Sequence, residues 1–117
     1  MSRLQRFIKI FFCFFYFVFY LQITHAANSD QQAKTLAKQN ACLGCHAHNK
    51  KIVGPSFESV AAKYKNDPSA HAFLKNKILK GGAGSWGVVP MPANAKLSDA
   101  DVSILTSWIL RGAPSAN

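Results

Sequence analysis

Cys42-Leu43-Gly44-Cys45-His46 is the stretch on which the reading of this chain turns. Two thiols spaced three apart and followed at once by an imidazole form the C-x-x-C-H pattern at which a c-type haem is attached. Each thiol adds to a vinyl group of the haem, and the adjacent histidine is carried beneath the iron as an axial ligand. Three other uses of such residues fit less well. A dithiol redox motif wants a surrounding βαβ pattern, and no strand-like alternation flanks residues 42–46. Zinc wants four ligands in two spaced pairs, whereas beyond His46 the chain has no cysteine, only His48 and His71. A disulfide between Cys42 and Cys45 would close a very small loop and leave His46 without a purpose.

Upstream, residues 1–26 read as a signal peptide. Arg3, Arg6 and Lys9 make a basic start, residues 10–21 an apolar run, and Thr24-His25-Ala26 a small-residue cleavage site. The competing reading is a retained anchor, although the run is shorter than the ~20 residues that span a bilayer. Cys13 lies within the run and leaves with it. Cleavage leaves residues 27–117 as one small domain with a start at Ala27, too short for a generous core of its own. A buried haem supplies the missing apolar mass, and export places the protein in the periplasm. The net charge of the full chain is +9, with 14 Lys and Arg against five acids. Three of the cations lie in the signal, so the domain keeps a charge of +6, which suits acidic partners. The basic residues are dispersed, which with export argues against nucleic acid. Gly81-Gly82-Ala83-Gly84 lacks the Lys-Ser/Thr of a phosphate loop and suits close passage of backbone past the haem edge.

The domain reads as helices joined by irregular loops, with no strand and no repeat. Ser29 or Asp30 can cap a helix that runs to about Asn40 with Ala33, Leu36 and Ala37 on one face. Val53-Gly54-Pro55 breaks the chain, and Ser56 precedes a short helix with Phe57, Val60, Ala61 and Tyr64 at helical spacing. Ser69 caps a third helix bearing Phe73, Leu74, Ile78 and Leu79, which ends at Gly81-Gly82. Residues 81–95 form a loop. Ser98 caps the last helix, with Val102, Leu105, Trp108 and Ile109 on its buried face and Gly112 and Pro114 beyond its end.

Apart from the initiator, the chain has a single methionine, Met91. It stands between Pro90 and Pro92, which restrict the backbone on both sides and bar regular structure. A methionine fixed in this way is a poor core filler and a good sixth ligand to iron, where a thioether raises the reduction potential.

With these residues in view, residues 42–111 resemble the small bacterial class I mono-haem cytochromes c, the short type that donates electrons to nitrite reductase. The resemblance rests on Cys42 to His46, Val53-Gly54-Pro55, the helix at 57–64, Trp86-Gly87, Pro90-Met91-Pro92, Asn94 and Trp108. It implies an all-α cytochrome c fold of four to five short helices around one covalently bound haem c, its first and last helices crossing. It implies thioether bonds at Cys42 and Cys45, with His46 and Met91 as iron ligands. The Pro55 carbonyl then accepts a hydrogen bond from His46, Trp86 donates its indole N–H to a haem propionate, and Asn94 donates to the Met91 sulfur. Trp108 packs the last helix against Leu36 and Ala37. The chain departs from the pattern at Lys77, a point charge where relatives carry the planar fork of an arginine. It also departs at His48, where relatives are commonly apolar. His48 cannot reach the far haem face and is expected to be partly exposed; His71, at the start of the third helix, is expected at the surface.

These readings imply a monomeric one-electron carrier, not an enzyme, that shuttles between respiratory complexes and a terminal reductase, oxidase or peroxidase. Its acidic redox partners would meet it briefly at a patch including Ile52, Val53 and Pro92, flanked by Lys38, Lys51 and Lys77. It touches the membrane only through partners unless the signal segment is retained. The alternatives, a peroxidase-like haem enzyme or a gas-binding sensor, need an open sixth position on the iron.

Overall fold

Between Arg3 and Gln39 the sequence contains neither glycine nor proline, and the chain is helical without a break over that whole stretch, α1 (Arg3–Gln39). The computed structural model describes residues 3–115, with side chains at 5, 8–18 and 28–115. The cap expected at Ser29 or Asp30 is therefore absent. Both residues lie inside α1, and Asp30 instead forms an ion pair with Arg111 beyond the last helix. The side chains of the expected cleavage site Thr24-His25-Ala26 lie outside the described ones. Among the described residues no helix is long and apolar enough to cross a membrane.

Three further helices follow, α2 (Phe57–Tyr64), α3 (Ala70–Lys80) and α4 (Asp99–Leu110), and a single 3-10 turn at Cys42–Gly44 carries the haem motif. Among the described residues there is no strand, only backbone bridges pairing His46 with Lys51 and Gly82 with Met91. Ser56 and Ser98 cap as expected. Their hydroxyls accept the Ser59 and Asp101 amides, both at 3.1 Å. Ser69 stands at the start of α3 but caps nothing. Its hydroxyl donates to Asp67 Oδ1 at 2.6 Å, and its amide donates to the same oxygen at 2.8 Å. Asp67 organises that turn, because its carboxylate can take both donors.

α4 is the centre of the packing, with α1, α2 and α3 all laid against it. Ala33 and Ala37, one turn apart on α1, are wholly buried and share a cluster with Phe57, Ile78, Val102, Leu105 and Trp108. Small side chains at that spacing let α1 and α4 approach closely, so the first and last helices pack against each other. Trp108 sits in this core with Leu36 and Ala37, and its indole N–H donates to the Pro114 carbonyl at 3.0 Å. The buried face of α4 also includes Thr106, which a reading by apolar spacing passes over. On α3, Leu74 and Ile78 are buried, whereas Phe73 is 38% exposed and leans on Tyr64 with ring centroids 5.4 Å apart.

Candidate haem site

α1 hands the chain to the C-x-x-C-H motif through Ala41, whose left-handed backbone (φ 58°, ψ 17°) turns the chain sharply out of the helix. The 3-10 turn that follows sets the two thiols and the histidine on one wall of a cavity of about 660 Å³. Both cysteines are free and half-buried. Burial pushes the Cys42 thiol up from its ordinary value, and the neighbouring Cys45 adds to this against a backbone hydrogen bond that lowers it. Among the described residues no group of three or more His, Cys, Asp or Glu is placed to hold a bare metal ion.

His46 is oriented from three sides. Its Nδ1–H donates to the Pro55 carbonyl at 2.8 Å, which leaves Nε2 as the ring nitrogen available to a metal. Phe57 stacks on the ring, with centroids 5.6 Å apart and planes inclined by 19°. The backbone of Gly54 presses on the ring so closely that a Cβ there would lie 2.5 Å from Cε1. The Val53-Gly54-Pro55 break thus supplies both the space and the acceptor that hold the imidazole. Nothing in local spacing indicates the part that Gly54 plays; only the meeting of two loop segments makes it visible.

Met91 lines the same cavity, half-buried, 45 positions further along the chain. It is held by reciprocal backbone bonds with Gly82, of 2.9 Å from Gly82 N–H and 3.1 Å from Met91 N–H. Gly81 makes the crossing possible. Its φ is 68°, and a Cβ at that position would fall 2.4 Å from the Met91 carbonyl oxygen. Trp86 and Asn94 also face the cavity. Asn94 donates its backbone N–H to the Ile78 carbonyl at 2.9 Å, and Trp86 is 42% exposed beneath the Lys63 ammonium, 4.4 Å from its ring centroid. Lys63 is a residue that the sequence reading passes over, since Ser85 and Trp86, which its ammonium meets, lie more than twenty positions away. Lys51 and Lys77 border the cavity, whereas Lys38 is exposed on α1. His48 is exposed, with Nδ1 3.5 Å from Glu58 Oε1, and His71 is exposed, with Nε2 3.2 Å from Ser107 Oγ.

The donors and the space fit a haem. The cavity is within the ~300–1,000 Å³ typical of sites that enclose a small organic group, and its walls are mostly apolar. Two free thiols, an imidazole and a thioether all line it.

Comparison with known proteins gives the same answer. Residues 31–113 match the family model described as Cytochrome c. The chain is 47% identical over 84 residues to cytochrome c-552 of Nitrosomonas europaea, a match covering 72% of this chain and 82% of that protein. It is 40% identical over 80 residues to cytochrome c-551 of Pseudomonas aeruginosa, covering 68% and 76%. The crystal structure of wild-type Nitrosomonas europaea cytochrome c552 superimposes with a TM-score of 0.65 at 44% identity, over 68% of this chain and 98% of that one. The class 1 cytochrome MtoD of Sideroxydans lithotrophicus superimposes at 0.63 with 31% identity, over 72% and 96%. With an all-α frame, a C-x-x-C-H motif and these relatives, the chain belongs to the cytochrome c family, and its cofactor is one covalently bound haem c.

Proposed function

We propose that this protein is a periplasmic one-electron carrier in which His46 and Met91 would both serve as ligands to the haem iron. The observation that carries the reading is the placement of these two side chains on one cavity by segments distant in sequence. The haem supplies the redox chemistry when bound, its iron alternating between the ferrous and ferric states. Cys42 and Cys45 tether it, and the Pro55 carbonyl holds the His46 proton at Nδ1 so that Nε2 stays a donor. Trp86 and Asn94, both on the cavity wall, serve the propionates and the Met91 sulfur. With no open position on the iron the protein carries electrons and performs no catalysis of its own.

Charge supports an acidic partner. Each of the five acids is engaged within the chain: Asp30 by Arg111, Glu58 by His48, Asp67 by Ser69, Asp99 by Lys75 and Asp101 by Ser98. Lys38, Lys51 and Lys77 have no acidic partner among the described residues and are free to steer an acidic surface. Ile52 and Val53, about half exposed at 48% and 51%, give with Pro92 a small apolar contact suited to a brief encounter. The protein acts as a monomer between respiratory complexes and a terminal reductase, oxidase or peroxidase. The signal reading of residues 1–26 places it in the periplasm; cleavage after Ala26 would shorten α1 to residues 27–39.

The test is carbon monoxide binding to the reduced holoprotein at neutral pH. The wild type is expected to bind none, and Met91→Ala to bind it readily with a lowered reduction potential. Ready binding by the wild type would mean an open iron and favour a haem enzyme or gas sensor.

A further inference from the structure

The loop that delivers Met91 is closed on itself more than it is tied to the helices. Gly82 and Met91 exchange backbone hydrogen bonds at its base, and inside it Gly84 N–H donates to the Gly87 carbonyl at 2.8 Å. Gly82, Gly84 and Gly87 have φ values of 104°, 99° and 116°, so the backbone is built from its least restricted residue. Burial does not anchor the far side either, since Val88 is 91% and Val89 62% exposed.

Among the described residues, a single hydrogen bond joins residues 83–89 to the helices. Lys63 Nζ, on the last turn of α2, donates to the Ser85 carbonyl at 2.6 Å. The same ammonium lies 4.4 Å from the centroid of the Trp86 ring. One side chain thus holds two successive loop residues, one by its carbonyl and the other by its π face.

We propose that Lys63 is a positioning residue: its grip on Ser85 and Trp86 keeps the loop seated against the cavity and sets how readily the sixth ligand of the iron is displaced. This rests on the reading of Met91 as that ligand. Lys63 touches neither the iron nor its ligands; it acts through the loop that ends in Met91.

The experiment uses the oxidised holoprotein with Lys63→Met, which keeps the apolar stem without the charge, and Lys63→Arg, which keeps a cationic donor. Hydrogen exchange is followed at the amides of Gly82, Gly84 and Met91, each bonded within the loop, and at Leu105 in α4 as a reference. Imidazole is titrated as a competing axial ligand by visible absorption. In Lys63→Met the loop amides are expected to exchange about five-fold faster with Leu105 unchanged, and imidazole to bind about five-fold more tightly, with both effects reversed in Lys63→Arg. Loop amides that exchange as in the wild type, or Leu105 accelerating in step with them, would overturn a local grip. Faster loop exchange with unchanged imidazole affinity would overturn its link to the sixth ligand. The ligand reading is scored separately on the reduced wild type, where bound methionine carries its methyl protons to the high-field end of the proton spectrum. Their absence there removes Met91 from the iron whatever the amides do.

Discussion

A Cβ added at position 54 would lie 2.5 Å from Cε1 and 2.8 Å from Nδ1 of His46, on the edge of the ring that bonds to Pro55. Gly54→Ala is therefore expected to push the imidazole off the Pro55 carbonyl and to cost about 1–3 kcal/mol, the usual range for overpacking. Chemical denaturation of the holoprotein measures the cost, and loss of the six-coordinate visible spectrum reports the displaced ring. Thr106 carries the opposite opportunity. Its hydroxyl is wholly buried and has no hydrogen-bond partner among the described residues, so it was desolvated without compensation. Thr106→Val should stabilise by about 1 kcal/mol, raising Tm by roughly 5 °C in a domain of this size. The cysteines and His46 are legible in sequence because haem attachment dictates their spacing. Gly54 and Thr106 are not, since each is defined by an atom that another segment brings to it.

Among the elements, Ser98 and Ser69 look alike in sequence, each directly before a helix, yet only Ser98 caps. Ser98→Ala is expected to cost about 1 kcal/mol and Ser69→Ala less than half of that, by urea denaturation of the two variants side by side. The turn before α3 depends on Asp67 instead. Hydrogen bonds from the Ser69 hydroxyl and amide hold its carboxyl below the ordinary value of 3.8. A depressed carboxyl lends its stability in full above the unfolded value and loses it as pH falls through the lower folded one. The amide of Ala70, which donates to the Asp67 carbonyl at 3.1 Å, should accordingly lose protection below about pH 4, and Asp67→Asn should flatten that dependence. Helix existence and order were readable from apolar spacing, Gly and Pro. The start of α1 was not. Caps are judged from local residue type, whereas helical continuity through Ser29 and Asp30 follows from the absence of any breaker, and Asp30 is engaged by Arg111 across the fold.

For the whole molecule the dominant property is an excess of basic charge, with every acid engaged within the chain and Lys51 and Lys77, at the cavity, without an acidic partner among the described residues. Electron transfer to an acidic partner should fall several-fold as ionic strength rises from a few millimolar to ~0.15 M, where screening acts beyond ~8 Å. Stopped-flow rates against a candidate reductase or oxidase check this, and a rate indifferent to salt would remove the steering. The sequence by itself determined the cofactor and the all-α class, and it singled out His46 and Met91 as the proposed iron ligands. These depend on residue type, short spacing and the uniqueness of Met91, all of which are local properties of the chain. Only the tertiary structure decided what holds those ligands: the Gly54 backbone against His46, the Gly81 crossing beneath Met91, and Lys63 reaching from α2 to the loop. These are contacts between segments far apart in the chain, and close packing alone determines which atoms meet there.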